Sequence, residues 1–156
     1  MAQTAKGHFT PKNPSKYKGA YPITYRSSWE MTFMTNLDNH PYVYAWESES
    51  IPIKYYNPVK DSIATYIPDF VVAYRDRTGK TFVEMVEIKP AKESPWHAQK
   101  VNSRTGKTAR ITESTKIVQA INLAKWTAAK KFCDAKGWKF TVVTENELFQ
   151  YERKTK

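Results

Sequence analysis

Apolar positions recur at helical spacing in two stretches of the chain and alternate with a period of two in several others. Trp29, Phe33 and Leu37 recur at i, i+4 and i+8, which predicts an amphipathic helix over residues 27–39. Ser27 and Glu30 have the spacing of a capping box, in which a hydroxyl and a carboxylate satisfy exposed backbone donors. A longer helix is predicted from about Ser114 to Lys136. Its stripe is Ile117, Ile121, Ala124, Ala128, Phe132 and Ala135, widened by Val118 and Trp126, and Gly137 supplies the stop. Short strands rich in aromatic and β-branched residues are predicted at 42–46 and 51–56, with Glu47, Ser48, Glu49 and Ser50 as the solvated turn between them. A loop at Lys60, Asp61 and Ser62 leads to a strand over 66–74, and a hairpin turn at 75–79 returns it over 81–89. Alternation places Ile67, Asp69, Val71 and Ala73 on one face of the first, and Val83, Met85, Glu87 and Lys89 on one face of the second. Pro90 ends that pairing. A last strand is predicted at 138–143, followed by a short helix capped by Thr144 and Glu147.

The long helix lies between two strands and forms a crossover. A right-handed crossover lays the last strand parallel to 81–89. The expected fold is therefore α/β: a mixed sheet, an antiparallel meander plus one parallel strand, with helices on both faces. Residues 1–22 are polar and broken by Pro11, Pro14, Gly19 and Pro22, and they read as a basic extended arm. Residues 23–151 read as a single domain, with 91–112 a long mobile basic loop and 152–156 a basic tail.

Charge narrows the partners. The chain has 156 residues and a formal net charge of +10, which calls for a polyanion, nucleic acid first. Candidate phosphate contacts are Lys12, Lys16, Lys18 and Arg26, then Lys100, Arg104, Lys107 and Arg110 in the long loop. No helix carries a base-reading pattern, so cleavage or binding is expected to be blind to sequence. A membrane fits poorly, because no basic helical face is backed by a wide apolar one and no apolar run reaches roughly 18 residues. The start is polar and unlike a secretory signal. Cys133 is the only cysteine, which excludes an internal disulfide, and it reads as a core residue. His8, His40 and His97 are too scattered for a metal cluster and read as surface residues.

If strands 66–74 and 81–89 pair as a hairpin, Asp69 comes up beside Glu87, with Lys89 on the same face. Two carboxylates and an ammonium flanked by apolar residues are costly unless they hold something. A divalent cation beside a phosphate would account for all three. From the long helix, Asn122 and Lys125 are candidates to approach the same place.

Pro68-Asp69 followed by Glu87-Ile88-Lys89, with Glu30 on an upstream helix, resembles the PD-(D/E)xK nuclease superfamily, the restriction-endonuclease-like fold. The likeness spans residue 26 to about 147. Within the superfamily the chain is most similar to the head-completion nuclease-like proteins of T-even-type tailed phages. Pro14-Ser15-Lys16-Tyr17, Tyr25-Arg26-Ser27-Ser28-Trp29-Glu30, Ile67-Pro68-Asp69, Glu87-Ile88-Lys89-Pro90 and Lys125-Trp126-Thr127-Ala128-Ala129 carry that likeness. A transposon end-cleaving endonuclease of the same superfamily has a similar amino-terminal half.

The resemblance implies metal-dependent phosphodiester hydrolysis of DNA. Asp69, Glu87 and the backbone carbonyl of Ile88 would hold Mg²⁺ or Mn²⁺. Glu30 would complete the site, and Lys89 would orient the attacking water or offset charge on the phosphate. It also implies work in the host cytoplasm during assembly, or within the virion, beside head, portal or neck proteins. Two other roles are compatible with the same residues: a structural protein that binds DNA ends and completes the portal without useful catalysis, and a transposase subunit that needs a protein partner.

Overall fold

The computed structural model describes residues 6–97, 101–108 and 110–148. Its centre is a four-stranded mixed sheet. In chain order the strands and helices are β1 (Gly7–Phe9), β2 (Ile23–Tyr25), α1 (Ser28–Asn39), β3 (Val43–Ser48), β4 (Ile53–Asn57), β5 (Ser62–Tyr66), β6 (Phe70–Arg75), β7 (Thr81–Ile88), α2 (Glu113–Lys136) and β8 (Lys139–Val143). The central sheet runs β3-β6-β7-β8. Its first two pairings are antiparallel, and β7 pairs with β8 in parallel after the α2 crossover. The expected mixed α/β fold is the one observed.

Each helix forms where its ends can be satisfied. In α1, the Ser27 hydroxyl accepts the Glu30 amide at 3.2 Å. In α2, Thr112 caps the start, and Gly137 closes the end at a left-handed φ of 72° that would strain any other residue. The two helices cover opposite faces of the sheet. Trp29, Met34 and Leu37 of α1 pack with Trp46, Phe70, Val72, Val86 and Ile88. Trp126, Ala129 and Cys133 of α2 pack with Met85 and Val142, and with Ile53, Tyr55 and Tyr66. Glu87 and Lys89 alternate with Val86 and Ile88, so they lie on the α2 side.

Several expectations change. The strand predicted over 66–74 is two strands, because Pro68 cannot donate to a ladder and the chain turns there. Residues 62–66, read as loop and strand start, form β5, which pairs with β4 in a separate hairpin. β3 therefore pairs with β6 rather than with β4. The buried stripe of α2 is Asn122, Trp126, Ala129 and Cys133, rotated from the predicted one; Ile117 and Val118 are exposed. A polar residue can occupy that stripe because the Asn122 amide donates to the Glu93 carbonyl at 2.9 Å. The segment 91–112 is not wholly loose. Its start is a 3-10 turn, Ala91–Glu93, tied to α2 by the Asn122 bond and by Gln119, which donates to the Lys92 carbonyl. Trp96 lies against Trp126 and Phe140, and Val101 bridges to Thr108.

The amino-terminal segment is the largest correction, because residues 6–22 are not an extended arm. β1 pairs with β2. Tyr17 is buried, edge-on to Trp46 with ring centres 4.7 Å apart. Asp38, itself buried near the end of α1, accepts the amides of Lys12 and Asn13 at 2.8 and 3.0 Å. The aromatic residues supply burial that a basic reading of the segment overlooks. Residues 152–156, the predicted basic tail, and the end of the predicted domain at 151 lie outside the described residues.

A detachable arm and an integral one behave differently on mutation. Tyr17→Ala is expected to lower unfolding free energy by about 3 kcal/mol, as for other buried aromatic truncations. Urea denaturation followed by tryptophan fluorescence checks this; an unchanged midpoint would mean that the segment does not contribute to the core.

Candidate active site

The site lies where the β6–β7 ladder runs out. The last paired residues are Phe70 and Val86, so Asp69 and Glu87 are the next positions along the two strands. The chain leaves the sheet at Pro68, which frees the Asp69 side chain from ladder geometry. Its Oδ2 accepts the Ile88 amide at 2.8 Å, and its own carbonyl accepts the Glu49 amide at 3.0 Å. Glu49 takes a left-handed φ of 48°, uncommon for a residue with a side chain. Asp69 is thus held from both neighbouring strands.

Glu87 is 6% exposed, a depth at which a carboxylate needs partners. Tyr66, at the end of β5, donates its hydroxyl to Glu87 Oε2 at 2.9 Å. The half-buried Lys89 ammonium lies 3.7 Å from Oε1. The Lys89 amide donates to the Val143 carbonyl at 3.0 Å on the β8 side. The N–H and C=O of one strand residue point to the same side, and the Ile88 N–H goes to Asp69. The Ile88 carbonyl therefore faces the Asp69 side as well.

Electrostatics marks the pair. Burial, and then the Glu87 charge, push the Asp69 carboxyl well above the usual carboxylate range. Burial also raises Glu87, with Lys89 and Tyr66 opposing. Burial lowers Lys125, on α2, which feels both carboxylates and the Lys89 charge.

Each predicted residue can be placed. Asp69, Glu87, Lys89 and the Ile88 backbone come together. Glu30, in the first turn of α1, is raised mainly by burial and adds to the field at Asp69. It hydrogen-bonds to Ser27, and among the described residues no three His, Cys, Asp or Glu side chains gather closely enough to hold a metal ion. Of the two long-helix candidates, Lys125 reaches the site while Asn122 turns to Glu93. Arg26 grips Glu49 through two bonds of 2.9 and 3.2 Å. The Lys16 ammonium donates to the Asp38 and His40 carbonyls at the end of α1, and so caps that helix. Lys12, Lys18, Arg104, Lys107 and Arg110 are exposed. Lys100 lies outside the described residues. His97 is not a plain surface residue: it is hydrogen-bonded to the buried Ser94 and lies 3.5 Å from Glu147.

Sequence reasoning missed Tyr66 and Glu49. Tyr66 stands three residues before Asp69, and only the hairpin shows that it turns back onto Glu87. Glu49 was read as solvated turn; nothing in its local sequence distinguishes it.

A family model for the TnsA-like endonuclease N-terminal domain matches residues 40–145. The chain belongs to this TnsA-like endonuclease family. Asp69, Glu87, Lys89 and Lys125 fall within the match, and Glu30 precedes it. The chain is also 34% identical over 143 residues to the head completion nuclease of Enterobacteria phage T4, covering 91% of this chain and 92% of that protein. The fold and these likenesses identify this TnsA-like protein as endonuclease-like, with DNA as the substrate class. No helix among the described residues is long and apolar enough to cross a membrane.

Two predictions follow from the geometry. Both Asp69 and Glu87 are raised, so their ionisation in the folded, metal-free protein opposes folding. That penalty is absent below the ordinary carboxylate range and complete above the raised value. Asp69→Asn is therefore expected to raise the metal-free melting temperature near neutral pH by about 3 °C, on the order of 1 kcal/mol for a domain this size. The gain should vanish as pH falls to about 4, in melts recorded with EDTA across that range. Lys16→Ala is expected to cost about 1 kcal/mol of stability, through the lost capping of α1, while leaving DNA affinity within twofold. Chemical denaturation and fluorescence-anisotropy titration measure the two effects separately.

Proposed function

We propose that the protein is a divalent-metal-dependent DNA endonuclease that completes phage heads, acting on packaged DNA ends without sequence specificity. The observation that carries this reading is the Asp69–Glu87 pair. A buried carboxylate, Glu87, and a partly buried one, Asp69, both with raised proton affinity, stand side by side, each with one oxygen engaged by a neutral donor. Such a pair suits a hard cation with oxygen ligands. Asp69, Glu87 and the Ile88 carbonyl would hold Mg²⁺ or Mn²⁺, and Glu30 would join through intervening water. When bound, the cation supplies a Lewis acid beside the scissile phosphate.

The remaining chemistry belongs to side chains. Tyr66 fixes the Glu87 carboxylate, and the Ile88 amide fixes that of Asp69, so neither must reorganise when DNA arrives. Lys89 holds a positive charge beside Glu87, where it orients the attacking water and offsets charge growing on the phosphoryl oxygens. The water oxygen gives up a proton to solvent as it bonds to phosphorus, the P–O bond to the leaving oxygen breaks, and that oxygen takes up a proton from solvent. Lys12, Lys18, Arg104, Lys107 and Arg110 are exposed and available to backbone phosphates, and Lys100 is assigned with them. Lys16 and Arg26 contribute charge near DNA only while keeping their bonds within the fold. The likeness to a head completion nuclease over 91% of the chain supports a place in the host cytoplasm during capsid assembly, next to head, portal or neck proteins, or in the virion.

A second reading is a DNA-end-binding protein without useful catalysis. The observation in its favour is that Glu30 does not gather with the other two carboxylates. Supercoiled-plasmid nicking separates the two. Nicking is expected in Mg²⁺ and not in EDTA, and Lys89→Ala is expected to slow it by about 10²–10³-fold, as for loss of a charge-stabilising donor. DNA retention without nicking by the wild type would favour the binding role. Nicking that survives both EDTA and Lys89→Ala would overturn the mechanism.

A further inference from the structure

Helix α2 crosses the face of the sheet that carries Glu87 and Lys89. Lys125 stands just before the buried Trp126 and three residues after the buried Asn122, at the margin of the helix's packed stripe. Its side chain is half-buried and lies along two tyrosines of the β4–β5 hairpin. The ammonium is 5.5 Å from the centre of the Tyr66 ring and 5.9 Å from that of Tyr55. Tyr66 is also the residue whose hydroxyl holds Glu87 at 2.9 Å. One tyrosine thus places a carboxylate at its tip and an ammonium over its face.

An ammonium has three N–H donors, and ring faces satisfy its charge without accepting those bonds directionally. Among the described residues, the Lys125 contacts are these two rings; no oxygen accepts from Nζ at hydrogen-bond distance. Asp69 and Glu87 attract it from nearby, and Lys89 repels it. A half-buried cation with open donors beside an acidic pair calls for an external acceptor that carries negative charge. Charge balance agrees. Three carboxylates (Glu30, Asp69, Glu87) and two ammonium groups sum to one negative charge, so a divalent cation added to them leaves one net positive charge for an anion.

We propose that Lys125 is a direct phosphate contact: its ammonium donates to a non-bridging oxygen of the phosphodiester at the site, from the α2 side, while Lys89 approaches from β7. This rests on the nuclease reading of the site. Two cations from different elements would fix the phosphate's rotation as well as its position. The Tyr66 and Tyr55 rings keep the lysine stem in place before DNA binds.

The experiment compares wild type with Lys125→Met, which keeps an unbranched stem over the tyrosines, and with Lys125→Ala and Lys125→Arg. Affinity for a short duplex is measured in Ca²⁺ across a salt series, and single-turnover cleavage is measured across Mg²⁺ concentrations. Thermal melts confirm folding. Met and Ala are expected to flatten the plot of log affinity against log salt by about 0.9, the loss of one phosphate contact. They are also expected to slow cleavage by about 10²-fold with the Mg²⁺ midpoint unchanged, and Arg should recover most of both losses. A folded Met variant with the wild-type slope and rate would overturn the proposal, as would variants that move only the Mg²⁺ midpoint, since Lys125 would then act on the carboxylates. If the wild type binds but does not cleave and the slope still falls, the nuclease reading fails while the Lys125 contact stands.

Discussion

Asp69 and Glu87 repel each other in the interior, and much of the structure around them exists to hold them there. Burial alone opposes both charges. The backbone answers with the Ile88 amide, the hairpin with the Tyr66 hydroxyl, β7 with Lys89, and α2 with Lys125. None of these partners neutralises the pair outright: two are neutral donors, one ammonium stands 3.7 Å away, and the other lies across a tyrosine ring. Pairing that strong would have closed the site. The incomplete compensation is what the proposed cation would complete, and without one it costs the fold stability.

The β4–β5 hairpin is an excursion between two strands of the central sheet, and it explains how the site is built. Without it, β3 would lead directly into β6 and no tyrosine hydroxyl would reach Glu87 from β5. With it, the alternation that buries Ile53, Tyr55 and Tyr66 against α2 also delivers the Tyr66 hydroxyl to the carboxylate and two aromatic faces to Lys125. The break at Pro68 then lets the chain re-enter the sheet with Asp69 at its edge. Packing and chemistry share the same residues, so the hairpin cannot be shortened without exposing the site.

The amino-terminal segment shows a similar economy. Its lysines made it look like a phosphate-binding arm. In the fold, Tyr17 fills a place beside Trp46, and Asp38 takes two of the segment's amides. Lys16 spends its charge on the carbonyls at the end of α1. Of the cations there, Lys6, Lys12 and Lys18 remain exposed to solvent. The match to the endonuclease family begins at residue 40, whereas the likeness to the head completion nuclease covers 91% of the chain. The segment and Glu30 lie ahead of the family match.

Local sequence determined a good deal here. The capping hydroxyl of Ser27, the stop at Gly137 and the alternation through 81–88 are short-range effects, legible because each depends on residues a few positions apart. The same alternation put Glu87 and Lys89 on one face, but it also ran a single strand through Pro68-Asp69, where the structure breaks it. Tertiary structure alone decided which strands pair, because β3 finds its partner across an entire hairpin and periodicity carries no information about partners. It decided that Asn122 belongs in the buried stripe, since that depends on a carbonyl from residue 93. It also decided that Tyr66 reaches Glu87 and Lys125 lies over the Tyr66 ring while Lys16 turns inward, because a long side chain's destination is set by what is packed within its reach and not by its neighbours in the chain.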